Sequence, residues 1–284
     1  ELDFRANPMA RGLPTGRSQT LGMLVADITN PMFFDVVRGA ERAAAAYGYT
    51  LVIAESQESD HREAEAAERV LPSVDGLILV TSRLTDAEIT RFAQRAPLVV
   101  INREVDGVES VVPDIAPGID QAVAHLFDLG HRSLVYLSGP ARSWMSGARQ
   151  RALEACAAER GISTTVIGPG APSRPGGRAT LSKVIASGAT AVVAYNDLMA
   201  IGLLQAAQEV DIAVPSAFSI VGFDDIFGAD LTSPALTTVR TPLARLGELA
   251  VQATLDPEGT RSSRDAAALE TELIIRRSTG RVVA

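Results

Sequence analysis

The chain has 284 residues, 46% of them hydrophobic and 21% charged, with a formal net charge of −8. That supplies one large or two modest apolar cores, no stretch approaches the roughly 20 apolar residues of a spanning helix, and residues 1–20 lack a charged-then-apolar secretory pattern. A cytoplasmic protein without membrane attachment is expected, whose visible chain does not hold nucleic acid by charge alone.

Because residue 1 is Glu, the chain reads as a fragment or processed form. Its basic charge is nearly all arginine, Lys183 being the single lysine. The one cysteine, Cys156, excludes an internal disulfide and reads as a small apolar residue within a helix.

In chain order, short apolar runs alternate with helical patterns, as in parallel sheets. Strands are predicted at 21–27, 49–55, 75–81, 98–102, 110–114, 133–139, 164–168, 191–197, 219–225, 236–240 and 272–277. These runs are apolar throughout, which predicts sheets covered on both faces. Between the first two, Pro31 is expected at the first position of a helix whose stripe is Phe33, Val37, Ala40, Ala44 and Tyr47, closed by Gly48. "TDAE" at 85–88 has capping-box form, and helices near 117–129 and 146–160 end at Gly130 and Gly161. "IGPGAPSRPGG" at 167–177 lacks the Lys-Ser/Thr ending of a phosphate loop and reads as a surface loop. The strands form two similar series, one over roughly 20–130 and one from 131 to about 240, so the fold class is α/β with two doubly wound lobes.

In open parallel sheets ligands lie beyond the carboxyl ends of the strands. Those ends carry Asp27 to Asn30 and Phe33, Asn102-Arg103, Asp114, Arg142 to Arg149, Asn196-Asp197 and Asp224-Asp225. Carboxylate, amide and guanidinium groups suit a polyhydroxylated ligand, and an aromatic ring suits the C–H face of a sugar. Each also has a structural role to weigh: Asp27, Asp114 and Asp197 stand where helix caps do, and Phe33 and Phe34 cannot both face one way. His61, His125 and His131 share no metal-ligand spacing. No nucleophile elbow, zinc-protease motif or cysteine pair is present. Neither a catalytic centre, a metal nor a cofactor is expected.

The stretch "ANPMARGLPTGRSQTLGMLVADITNPMFFDVVRGAE", followed in order by "DLGHRSLVYLSGP", "AVVAYNDLMAIGLLQA", "VPSAFSIVGFDDI" and "LTTVRTPLARLGELA", resembles bacterial transcription regulators of the lactose-repressor/galactose-repressor (LacI/GalR) family over essentially the whole chain. The resemblance implies a type I periplasmic-binding-protein fold, two Rossmann-like lobes joined by three crossovers with a monosaccharide-like effector between them. It implies a hinge segment at 1–18 after an absent helix-turn-helix, an N-terminal lobe of 19–130 plus about 243–268, and a C-terminal lobe of 131–242 plus about 269–284. Carried over residue by residue, the effector positions are Asn30, Phe33, Arg103, Arg149, Asn196, Asp224 and Thr241, and the hinge residues contacting operator DNA are Asn7, Ala10, Arg11 and Leu13, the last a minor-groove wedge. Phe33 is thereby a ligand platform, with Phe34 or Val37 facing the core. Gly12 and Pro14 weaken an isolated helix, so the hinge is expected to order only on DNA.

The resemblance further implies a homodimer in which effector binding changes the angle between lobes and brings the hinges together or parts them, by a coupling of about 1–3 kcal/mol. Asp114-Ile115, Gly147 and Met32 depart from common family residues, which bears on the sugar chosen. A periplasmic sugar-binding protein of a transporter is the alternative from the same fold, and a sugar-modifying enzyme a third reading.

Overall fold

The computed structural model describes residues 17–256 and 269–282. They form two compact units: one from residues 17–29, 33–112 and 244–256, the other from 30–32, 113–243 and 269–282. The expected hinge contacts at Asn7, Ala10, Arg11 and Leu13 lie outside the described residues.

The first unit is a five-stranded parallel sheet of β1 (Thr20–Val25), β2 (Thr50–Glu55), β3 (Gly76–Val80), β4 (Leu98–Ile101) and β5 (Glu109–Val111), in the order β2-β1-β3-β4-β5. Helices α1 (Met32–Ala46), α2 (Asp60–Val70), α3 (Asp86–Ala93) and α9 (Leu243–Leu255) accompany it, α9 coming from the far end of the chain. The central strands β3 and β4 are buried at every position, whereas the edge strand β2 is largely exposed. Both faces of the central strands are covered as expected, but the equally unbroken apolar run Leu51 to Ala54 of β2 is not covered, because β2 is the edge strand. Phe92 and Ile89 on α3 are fully buried with Leu77, Leu79 and Val100, each such side chain contributing about 1.5–3 kcal/mol. Thr85 and Glu88 form the expected reciprocal capping box at the start of α3.

Helix α1 departs from expectation in two respects. It begins at Met32, so Pro31 precedes its first turn. Its buried stripe is Phe33, Val36, Ala40, Ala43 and Ala44, while Phe34 and Tyr47 are each 49% exposed. Neither Phe34 nor Val37 is the inward residue; Val36 is. A helix advances about 100° per residue, which puts 33, 36, 40 and 44 on one face; Tyr47 is exposed because it lies past the last helical residue, Ala46.

The second unit is a six-stranded sheet in the order β11-β10-β9-β8-β6-β7: β6 (Ser133–Leu137), β7 (Ser163–Ile167), β8 (Ala191–Ala194), β9 (Ser219–Asp224), β10 (Thr237–Arg240) and β11 (Glu272–Ile274). Only the β10–β11 pair is antiparallel. Its helices are α4 (Ala116–Asp128), α5 (Trp144–Glu159), α6 (Arg174–Arg178), α7 (Leu181–Ser187) and α8 (Asp197–Glu209). Helix α4, placed in the first lobe from sequence, packs here against α5, β10 and β11, since the chain leaves the first unit at Val112.

The Gly/Pro-rich segment is only partly loop. Ser173 caps the short α6 by accepting from Gly176 N–H, and α6 packs tightly on α8. A Cβ on Gly177 would stand 2.0 Å from Met199 O, and one on Gly202 2.0 Å from Arg174 O, so two backbones touch where glycines permit it.

His131, buried just before β6, bonds through Nδ1 to Thr190 Oγ1 (2.8 Å) and through Nε2 to Ser219 Oγ (3.0 Å) and Gly280 O (3.1 Å). It ties the amino-terminal edge of the sheet to the chain's last described residues, a structural role. Burial holds its pKa below the ordinary value, favouring neutral imidazole.

Candidate functional site

In the second unit the sheet order reverses between β6 and β8, the place where ligands approach such sheets. Helix α5, following β6, carries Arg149, and the end of β9 carries Asp224. Both are buried and paired: Arg149 Nη2 donates to Asp224 Oδ1 at 2.8 Å, and Nη1 donates to Tyr195 O at 2.5 Å. The guanidinium lies 3.6 Å from the Phe223 ring centroid and 5.2 Å from that of Tyr195, a cation–π seat with little water. Arg149 Nε is buried without a hydrogen-bond partner. A buried donor left unmade costs about 1–3 kcal/mol, a cost that an incoming acceptor removes.

Asn196 sits beside this pair at the end of β8, and its amide is engaged twice. Its Oδ1 accepts from Met199 N–H, making Asn196 rather than Asp197 the cap of α8, and its Nδ2 donates to Pro172 O at 3.0 Å. Thr241, just past β10, is buried with its Oγ1 unpartnered. Asp225 points elsewhere, accepting from Arg240 Nε (2.8 Å) and Arg276 Nη2 (2.6 Å). Asp197 is fully buried, accepting from Ile226 N–H (2.8 Å) and the Thr238 hydroxyl (2.6 Å). Burial, reinforced by Asp224 and Asp225, pushes its carboxyl up to about 8.

In the first unit, Arg103 follows β4. Its Nη2 pairs with Asp86 at 2.6 Å and its Nη1 donates to Leu84 O at 2.5 Å, while Nε is buried without a partner. Beside it, Asn102 Oδ1 and Thr81 Oγ1 are likewise buried and unpartnered, both on residues in left-handed backbone, φ +63° and +56°. Reading the sequence singled out Arg103 but missed Thr81, and gave Asn102 no role of its own. A hydroxyl or amide at a strand end carries no signal of its own; only burial without a partner exposes it.

Arg83 is also buried here, donating to Glu58 (2.8 Å from Nε) and to Thr81 O (2.8 Å), and its N–H is taken by Glu63 (2.7 Å). Burial raises the Glu63 carboxyl despite hydrogen bonds from Ser82 and Arg83 that lower it. Phe33 is 3% exposed and forms one wall of an apolar groove of about 380 Å³ with Ile28, Phe34, Val37 and Ile53. Asn30 caps its own turn, accepting from Met32 N–H at 3.2 Å.

A larger cavity of about 420 Å³ lies at the opposite, amino-terminal edge of the first sheet, lined by Arg17, Tyr49, Asp75, Pro97 and Thr254. Asp75, one of its two acids with Glu109, accepts from Ser18 N–H, Ser18 Oγ and Gln19 N–H, anchoring the start of β1. Arg149 Nε and Thr241 Oγ1 on the second unit, and Arg103 Nε, Asn102 Oδ1 and Thr81 Oγ1 on the first, lie at the carboxyl edges of their own sheets, and the candidate residues are placed there.

A sequence model of the periplasmic binding protein-like domain matches residues 123–279. The HTH-type transcriptional regulator GalS of Salmonella typhimurium is 33% identical over 262 residues, 89% of this chain and 77% of that protein. The chain belongs to the LacI/GalR family of transcriptional regulators. A LacI family regulator from Mycobacterium smegmatis has the same fold, with TM-score 0.80 and 28% identity, covering 93% of this chain and 100% of that one. Another LacI family regulator, from Enterococcus faecium and solved with bound ribose, has TM-score 0.78 and 26% identity over 93% of this chain and 100% of its own. LacI/GalR membership accounts for the two doubly wound units.

Proposed function

We propose that this chain is the effector-binding and dimerisation region of a cytoplasmic, DNA-binding transcriptional repressor that responds to a monosaccharide or a close derivative and catalyses no reaction. The observation that carries the reading is the buried Arg149–Asp224 pair with its unpartnered guanidinium Nε. A carboxylate accepts from sugar hydroxyls and a guanidinium donates to them, so together they complement a group that does both. The ribose bound to the Enterococcus faecium relative supports the ligand class, and the transcriptional regulators among its relatives favour this role over a transporter's binding protein.

The effector residues of this reading are Asn30, Phe33, Arg103, Arg149, Asn196, Asp224 and Thr241, joined by Thr81 and Asn102 on account of their unpartnered atoms. Operator DNA is contacted through Asn7, Ala10, Arg11 and Leu13. The homodimer forms through the apolar faces left exposed: Phe34 and Ile53 on the first unit, and Phe227 and Leu231, 79% and 72% exposed, on the second.

Thermal melting against a panel of pentoses, hexoses and their phosphates tests the reading. A ligand at about 100 times its Kd adds roughly 2.7 kcal/mol and raises the midpoint by several degrees. One responding monosaccharide, with the response lost in Asp224→Asn, is the expected result. A panel without any response overturns the ligand class.

A further inference from the structure

Two successive residues at the end of β9, Asp224 and Asp225, adopt positive φ, +104° and +55°. Side chains other than glycine avoid this region, at a cost of order 1–3 kcal/mol each, and surrounding contacts must hold such residues there. Beyond the Arg149 pair, two contacts do so. Asp225 is gripped by Arg240 and Arg276 from β10 and the segment after β11. The next residue, Ile226, is held through its backbone N–H by Asp197, which reaches in from the first turn of α8.

The molecule makes room for that carboxylate. Asp197 Oδ1 lies where a Cβ on Gly222 would come within 2.0 Å, so any larger residue on β9 would displace it. The same oxygen accepts from the Thr238 hydroxyl, and Thr238 is the register partner of Gly222 across β9 and β10. One side chain thus joins α8, the end of β9 and β10, with no exposed surface.

We propose that Asp197 is the positioning residue of the effector site: by fixing Ile226 N–H and the Thr238 hydroxyl together, it holds the left-handed turn from which Asp224 presents its carboxylate to Arg149 and to the ligand. The proposal rests on the assignment of Asp224 to the effector. Asp197 does not touch the effector itself. What it supplies is geometry, and an amide supplies the same: Asn at this position keeps a carbonyl on Ile226 N–H and turns its NH₂ to Thr238 Oγ1.

The test uses the full chain with D-ribose as probe and two readouts, the Kd by calorimetry and the exchange rate of the Ile226 amide by NMR. Asp197→Ala is expected to weaken ribose binding at least about tenfold and to speed Ile226 exchange by a similar factor, whereas Asp197→Asn stays within about threefold of the wild type in both. Leu203→Ala, a buried truncation on the same helix, is the control: it lowers the melting point and leaves the Kd in place. If Asp197→Ala does not fold, Thr238→Val carries the test, with affinity lowered about threefold and Ile226 exchange quickened. A folded Asp197→Ala protein with wild-type Kd and wild-type Ile226 exchange overturns the proposal. So does Asp197→Asn failing as badly as Asp197→Ala, or Leu203→Ala weakening binding equally. If Asp224→Asn leaves ribose affinity untouched, the effector assignment fails; in that case, or if the wild type does not bind ribose, Ile226 exchange alone decides whether Asp197 holds the turn.

Discussion

Arg149 Nη2 and Asp224 Oδ1 lie 2.8 Å apart, and neither side chain exposes more than 4% of its surface. Removing one partner leaves the other buried and uncompensated, which costs about 3–5 kcal/mol in comparable pairs. Asp224→Ala and Arg149→Ala are therefore expected to lower the unfolding free energy by that order. Asp224→Asn, which still accepts from Arg149, is expected to lose clearly less. Chemical denaturation of the three variants checks this ranking, and equal losses for Asn and Ala at position 224 would contradict it.

Acidity moves stability through two groups with opposite signs. Asp197 ionises near 3.8 when unfolded and near about 8 when folded. A folded pKa above the unfolded one means its contribution is fully present below 3.8 and is lost as the pH rises through about 8, by up to about 1.4 kcal/mol per pH unit. His131 runs the other way. Its folded pKa lies below 6.5, so its contribution is present above 6.5 and is lost as the pH falls through the lowered value. The stability difference between wild type and Asp197→Asn should therefore grow in favour of the variant from about pH 4 to about pH 8. A difference that does not change with pH would mean that the carboxyl is not held protonated.

The contact of α6 with α8 depends on two glycines. Gly202→Ala puts a Cβ 2.0 Å from Arg174 O, a backbone atom that cannot swing aside. Overpacking of this kind costs about 1–3 kcal/mol, against which alanine's better helix propensity returns at most about 1 kcal/mol. A fall of the melting point by a few degrees is expected; a rise would show that α6 shifts freely.

The exposed apolar strip on β2 and α1 gives a prediction about assembly. Phe34 and Ile53 line one groove and are each at least 40% exposed, and a charge placed among them should oppose burial against a second copy. Sedimentation of the wild type should report a dimer, and Phe34→Asp combined with Ile53→Asp a monomer that retains its fold. A monomeric wild type, or a dimer unmoved by both charges, would place the interface elsewhere or remove it.

All eleven strands among the described residues were legible because the parallel sheets bury both faces of most of them, leaving apolar runs that need no alignment to see. The stripe of α1 was misplaced, with Val36 rather than Val37 turned inward, because the choice between spacings of three and four depends on which helix lies opposite. The segment at 167–177 reads as loop in sequence because Gly and Pro oppose helices in isolation; the close contact of its Arg174 and Gly177 with Gly202 and Met199 outweighs that propensity. At the candidate site, charged residues were found at strand ends by their type. Thr81, and the burial and partners of Asp197, were not, because what distinguishes them is the tertiary surrounding of an ordinary polar side chain.

Arg149 and Asp224 are proposed to bind a sugar. Calorimetric titration of the purified chain with the monosaccharide that raises its melting point most, beside Asp224→Asn measured under the same conditions, tests it directly. One site per chain is expected in the wild type and a loss of at least about tenfold in the variant, the weight of a charge-assisted hydrogen bond of about 1.5–3 kcal/mol. Equal affinity in the two proteins would contradict it.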